Sequence, residues 1–353
     1  MNHNTNLLQS LEHVAAGTPI TRLGVSLIPL YTFGDRRPVA TGPDSGLIIE
    51  ERPSAEVPFL EATNRNANPG LLVSGQVVTG GLQTRVLNVS VLIGAGQHVI
   101  IPVSCVERGR WNDHATFRSG NLFASRRVRA TKDAGVAESV ARDGSRFSNQ
   151  GAVWHSVDHE LRRLNAEAPT ANFAALESVF QRDGADEAVT VRELQQRGPL
   201  PGQCGVVVCH GRTVISVELF GSPEMFAAHW NALVASIMLD APGYPPTSRP
   251  SVTAALRFVR RLATAPAAVQ QGVGLGVDPM DKKQLQFVYE KELKALPSQI
   301  VVMAAPHAWV RHSGTGFGTK SVHGEQGFTL LEIAIGMAML NASDGSRARR
   351  SIR

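Results

Sequence analysis

The alternation of apolar and polar positions is clearest in GGLQTRVLNVSVLI (80–93) and HVIIPVSCVE (98–107). Both runs are rich in β-branched residues, and Gly94-Ala95-Gly96 between them has the composition of a three-residue hairpin loop, with glycine free to take a left-handed backbone. The same pattern predicts strands in RLGVSLIPLY (22–31) and GLIIEE (46–51), and a second hairpin whose β runs flank a tight turn at His210-Gly211. QLQFVYEKEL and IVVMAAPHAWV read as closing strands.

Helical spacing replaces alternation in QGAVWHSVDHELRRLNAE (150–167), where Val153, Trp154, Val157, Leu161 and Leu164 form one apolar stripe. Another helix is expected over 171–182, after Thr170. Ser222-Pro223 supplies a helix N-cap and a first-turn proline, with Phe226, Trp230, Leu233 and Ile237 facing inward. Beyond a Pro-rich break at 242–250, Ser251 caps a helix with Val252, Leu256, Val259 and Leu262 inward and Arg257, Arg260 and Arg261 outward. Residues from about 108 to 150 turn polar and rich in Gly, Arg and Ser, which predicts a long loop or mobile insertion. Hairpins mixed with helices predict an α+β fold, a mostly antiparallel sheet with β-hairpins packed by several helices. The expected divisions are an N-terminal extension (1–20), an α+β domain (21–312) and a C-terminal tail (313–353).

The first hairpin permits a register inference. A loop at Gly94–Gly96 places Ile93 opposite Gln97, Val91 opposite Val99, Val89 opposite Ile101 and Leu87 opposite Val103. Two further steps place Arg85 opposite Cys105 and Gln83 opposite Glu107 on the same inward face, because strand side chains alternate with period two. A polar quartet at the end of an apolar stripe requires an explanation, since inward charges are costly unless paired or bound to a ligand.

Three readings are open. Arg85 and Glu107 could form a buried ion pair beside a small apolar Cys105. Alternatively, Arg85 and Arg110 could grip an anionic group, with Gln83 and Asn88 orienting it and Trp111 stacking on a ring. A nucleophilic Cys105 would need a thiolate, which Arg85 favours and Glu107 opposes, with no histidine base close in sequence.

Composition narrows the classes. The chain has 353 residues, 43% hydrophobic, ample for a core. Its net charge of +5 is concentrated in clusters, Arg126, Arg127, Arg129 and Lys132 in one and Arg347, Arg349, Arg350 and Arg353 in another, so the total does not indicate nucleic-acid binding. Three scattered cysteines, Cys105, Cys204 and Cys209, make no disulfide framework or zinc motif and favour a reducing, cytoplasmic setting. The opening MNHNTNLLQSLEHVAAG lacks the form of a secretory signal.

Other motifs are weaker. His155, Asp158 and His159 spell H-x-x-D-H on a helix, but Asp replaces the longer Glu of the zinc-protease pattern and no third ligand is evident, so no metal is expected. GVGLGVD (272–278) lacks phosphate-loop spacing and reads as a turn. GFTLLEIAIGMAML resembles a type IV prepilin signature, with Gly327, Phe328 and Glu332 in its key positions. Its apolar run, Phe328 to Leu340, falls short of the roughly 20 residues a membrane span needs and lies at the wrong end of the chain, so membrane association is not expected.

GGLQTRVLNVSVLI, IPVSCVERGRW and VELFGSPEMFAAHWNALVAS together resemble the ADP-ribosylglycohydrolase and rhodanese-phosphatase-associated domain family over about residues 20 to 312. The resemblance implies an association with NAD and ADP-ribose metabolism and with glycohydrolase or phosphatase partners, without specifying a reaction or a cofactor. Gln83, Arg85, Asn88, Cys105, Glu107, Arg110 and Trp111 fall within its motif stretches and are the candidate ligand-binding residues. The leading expectation is a protein that binds an anionic nucleotide-type ligand connected with ADP-ribose or NAD turnover, with processing of that ligand left open. The rival is a non-catalytic scaffold or accessory protein.

Overall fold

The structure, a computed structural model, describes residues 13–32, 38–111, 116–182, 184–241, 248–263, 273–274 and 301–303. In chain order the strands are β1 (Ala15–Ala16), β2 (Ile20–Arg22), β3 (Val25–Tyr31), β4 (Ala40–Thr41), β5 (Leu47–Glu50), β6 (Phe59–Asn64), β7 (Gly70–Leu72) and β8 (Gln76–Gly80). They continue as β9 (Arg85–Leu87), β10 (Val91–Ile93), β11 (His98–Cys105), β12 (Phe117–Phe123), β13 (Gly205–His210), β14 (Thr213–Leu219) and β15 (Val301–Met303). Between and after them lie α1 (Arg126–Asp143), α2 (Gln150–Arg163), a 3-10 helix (Phe173–Gln181), α3 (Asp186–Arg197), α4 (Pro223–Met238) and α5 (Val252–Ala263). The fold is therefore α+β, and its strand pairs are antiparallel except for β4 with β7.

One sheet runs β1-β3-β13-β14-β15, with β2 also on β3. The alternation of β3, β13 and β14 divides its side chains between two cores. Ile28, Leu30, Val207, Val217 and Leu219 pack with Ala255, Phe258 and Val259 of α5. Leu27, Val206, Val208 and Ile215 join Phe226, Trp230, Leu233 and Ile237 of α4, together with Val153, Val157 and Leu161 of α2. The α4 cap is as predicted, with Ser222 accepting from the Met225 N–H and Pro223 in the first turn.

The second large sheet is ordered β12-β8-β9-β11-β6-β5. A bridge from Glu50 to Thr116 joins its two edges, so the six strands close into a small antiparallel barrel. Period-two alternation turns Ile49, Leu60, Ala62, Val78, Leu87, Ile101, Val103 and Phe117 into one interior cluster.

The predicted register holds at the far end of the first hairpin: Leu87 pairs with Val103 and Arg85 with Cys105. Its near end opens. Beyond Asn88, β10 leaves β11 to pair with β7, while Val99 and Ile101 pair with Ala62 and Leu60 of β6. The expected Val91–Val99 and Val89–Ile101 pairs are thus replaced, because the loop at 94–97 only fixes where the strands separate and return.

Four other expectations need correction. Residues 108–150 are not a long loop, since they contain β12 and the 18-residue α1. The helix expected at 171–182 is a 3-10 helix, and α3 after it was not anticipated. The second hairpin turns at Gly211-Arg212, one residue later than expected, because His210 pairs with Thr213. Phe258, absent from the predicted stripe of α5, is buried, whereas Arg257 and Arg260 are exposed as predicted.

QLQFVYEKEL, most of GVGLGVD, the prepilin-like segment and the rest of the 313–353 tail lie outside the described residues, as do the Arg261 and Leu262 side chains. Of IVVMAAPHAWV, β15 is described and pairs with β14.

Candidate functional site

Arg85, Cys105 and Glu107 come together at one end of the barrel, where the apolar interior gives way to polar side chains. Arg85 and Cys105 are both 0% exposed. Strand alternation carries them inward, next after Leu87 and Val103.

Glu107 pairs with Arg110, not with Arg85 as the ion-pair reading had it. Arg110 Nε donates to Glu107 Oε1 at 2.9 Å and Nη2 to Oε2 at 2.7 Å, a two-point guanidinium–carboxylate pair. Thr84 adds its N–H and hydroxyl to Oε2, both at 2.9 Å, and the Thr170 hydroxyl donates to Oε1 at 2.8 Å. Burial alone would raise the carboxyl, but the bonds from Arg110, Thr84 and Thr170 outweigh it and hold Glu107 at about 2.

The remaining Arg110 donors go to the Gly81 and Gly80 carbonyls, at 2.8 and 3.2 Å. The Gly80-Gly81 turn has φ of +101° and +54°, and a Cβ on Gly81 would lie 2.0 Å from the Phe117 ring, so glycine is required for the chain to offer those carbonyls. Arg110 thus directs its guanidinium to Glu107 and to the Gly80 and Gly81 carbonyls. The pairing follows from reach: Arg110 lies only three residues past Glu107 and turns back onto it.

Arg85 stands differently. Its guanidinium lies 6.0 Å from the ring centre of Trp111, which is 51% exposed. Its nearest carboxylate oxygen is Glu51 Oε1, 3.9 Å from Nη2. The buried Nε, Nη1 and Nη2 have no hydrogen-bond partner, and neither does Glu51 Oε2. Burial lowers the Arg85 pKa, against the attraction of Cys105 and Glu51.

The Cys105 thiol is held within the wall, donating to the Glu107 carbonyl at 2.6 Å, with Gln83 Oε1 at 3.2 Å. Burial pushes its pKa up despite Arg85. Gln83 in turn donates to the Glu107 carbonyl at 3.3 Å. Asn88 is not part of this group. Its amide donates to Arg146 O at 2.8 Å and its oxygen accepts from Ser104 at 2.5 Å, on the opposite face of the strand pair.

Residue types alone did not flag Glu51, Thr84 or Thr170. Glu51 was within reach of the alternation argument, because it follows the inward Ile49 by two residues in GLIIEE. Thr170 had no such signal, since it arrives from a turn between two helices.

The basic run at the start of α1 proves to be internal. Arg127 pairs with Asp240 at 3.0 Å, and Arg129 with the wholly buried Glu218 at 2.6 Å. Lys132 is 0% exposed. It donates to Ser74 Oγ, Leu87 O and Asn88 O at 2.9, 3.2 and 2.8 Å and lies 2.5 Å from Asp133 Oδ1. Burial raises the Asp133 carboxyl to about 6 despite Lys132. Lys132 thus holds α1 to the barrel, whereas Arg127 and Arg129 tie it to Asp240 after α4 and to β14 of the other sheet.

On α2, His155 and His159 are exposed and Asp158 pairs with Arg108 at 3.1 Å. No group of three or more metal-ligating side chains occurs among the described residues. Nor is any helix among them long and apolar enough to cross a membrane.

No curated protein and no solved structure matches the chain. A family model described as the ARG and Rhodanese-Phosphatase-superfamily-associated Protein domain matches residues 13–300, and the chain belongs to that family.

Proposed function

We propose that this protein binds an anionic nucleotide-type small molecule, of the ADP-ribose or NAD kind, at the barrel mouth. One observation carries the reading: the Arg85 guanidinium is fully buried, its three nitrogens lack hydrogen-bond partners, and an exposed indole lies over it. An arginine in that state forfeits its water without recovering the bonds, which a ligand would restore. Arg85 supplies the fork for a phosphate or carboxylate, Trp111 a stacking surface, and Gln83 and Cys105 the wall. Glu107 and Arg110 brace the wall. Barrel mouths are common positions for small-molecule sites.

The family's name supports the nucleotide class and suggests ADP-ribosylglycohydrolase or phosphatase proteins as partners. Three free, buried cysteines suit a reducing, cytoplasmic setting. The reading is one of binding: burial pushes the Cys105 pKa up, and its thiol is engaged with the Glu107 carbonyl and Gln83 within the wall.

The test is thermal unfolding with ADP-ribose and NAD, on wild type and Arg85→Ala. A ligand at a hundred times its dissociation constant stabilises by about 2.7 kcal/mol, a shift the variant should lose. No shift with either ligand would end the proposal.

The scaffold reading rests on a different observation, the complete hydrogen bonding of Glu107 and Arg110. It predicts no ligand-dependent shift in wild type and a stability loss on breaking that pair.

A further inference from the structure

We infer that Glu51 is a second ligand-binding residue of the barrel mouth, and that the ligand joins an anionic group to a neighbouring hydroxyl, as a nucleotide's phosphates and vicinal ribose hydroxyls do. This rests on the barrel-mouth reading above and specifies what the site selects.

Two buried guanidinium–carboxylate pairs close at hydrogen-bond distance, 2.7 Å for Arg110–Glu107 and 2.6 Å for Arg129–Glu218, while Arg126–Asp240 stands at 3.5 Å. Arg85 and Glu51 are equally enclosed, with side chains 0% and 7% exposed, yet stop at 3.9 Å. The Glu51 carboxylate is fixed, because Oε1 accepts from the Leu82 N–H at 2.9 Å. That leaves Oε2 as a buried acceptor with no donor, beside three buried donors with no acceptor.

The unmet bonds define a complement. A bare phosphate would satisfy Arg85 but bring its charge against Glu51, a like-charge contact in a poorly solvated place. A neutral sugar would satisfy Oε2 and leave the guanidinium unmet. A ligand carrying both an anionic oxygen and a hydroxyl satisfies both, and Glu51 then discriminates against analogues lacking the hydroxyl, because they leave a buried carboxylate oxygen unpaired.

Calorimetric titration of the full chain with ADP, 2′,3′-dideoxy-ADP and inorganic phosphate tests this, on wild type, Glu51→Gln and Arg85→Ala. Wild type should bind ADP about tenfold or more tightly than the dideoxy analogue and should not bind phosphate measurably. Glu51→Gln, which keeps the acceptor for Leu82, should weaken ADP and bring the two nucleotides within about threefold by removing the charged hydrogen bond. Equal wild-type affinities, unchanged by Glu51→Gln, would mean that Glu51 holds only water; the inference would fall while nucleotide binding stood. Absence of ADP binding would also overturn it. Arg85→Ala binding ADP as well as wild type would remove the barrel-mouth site itself.

Discussion

Arg110 takes the carboxylate that strand register had offered to Arg85. The Glu107–Arg110 pair closes at 2.9 and 2.7 Å, and Arg85, directly across the ladder from Cys105, keeps three unmet donors. The same barrel end thus holds a completed structural pair and an incomplete arginine, and the two respond oppositely to mutation.

Arg85→Met should stabilise the ligand-free protein by about 1–3 kcal/mol in urea unfolding, because an apolar chain of similar length replaces a desolvated, unbonded cation. The same substitution should abolish any nucleotide-dependent thermal shift. Destabilisation of comparable size would show that Arg85 is a structural residue.

Arg110→Ala should cost about 3–5 kcal/mol, since it leaves Glu107 charged and buried with its main partner gone. Adding Glu107→Leu to that background should recover part of the loss. Additive losses in the double-mutant cycle would mean that the two side chains act independently.

Two carboxyls give stability opposite pH slopes. Glu107 is held at about 2 against an ordinary 4.5, so its contribution is present above pH 4.5 and lost as pH falls towards 2. Asp133 is raised to about 6 from 3.8, so its protonated form favours the fold below pH 3.8, and that contribution is lost as pH rises through 6. Asp133→Asn should therefore flatten the stability profile between about pH 4 and 6, and Glu107→Gln the profile between about pH 2 and 4.5. Unchanged profiles in both variants would refute the assignments.

All three thiols should resist a thiol reagent in the native state and react together on unfolding. Burial raises Cys204 to about 11 and Cys209 to about 12, and Cys105 is raised as well. Rapid native labelling of Cys105 would reopen its nucleophilic reading.

Where side-chain periodicity reports burial directly, the sequence was legible. The Val153, Val157 and Leu161 positions of the α2 stripe, the Ser222 cap of α4 and the Arg85–Cys105 register could each be read from residue spacing alone, whereas Trp154 and Leu164 of that stripe are only half-buried. Helix α1 was missed for the converse reason. Its buried face is carried by Arg126, Arg129, Lys132, Asp133 and Ser139 alongside Val128 and Val136, so it shows no apolar stripe. Polar residues become interior only when Ser74, Asp240 and Glu218, distant in sequence, supply their partners.

The sequence by itself determined the antiparallel α+β class, the inward direction of Arg85 and Cys105, and the polar end of an apolar stripe, because these depend on local periodicity. The tertiary structure alone decided that β5 and β12 meet to close a barrel, that Glu107 belongs to Arg110, and that Glu51 stands 3.9 Å from Arg85. Which charges pair, and which stay apart, depends on the separation of side chains brought together from distant strands, and that separation is set by the closure of the barrel.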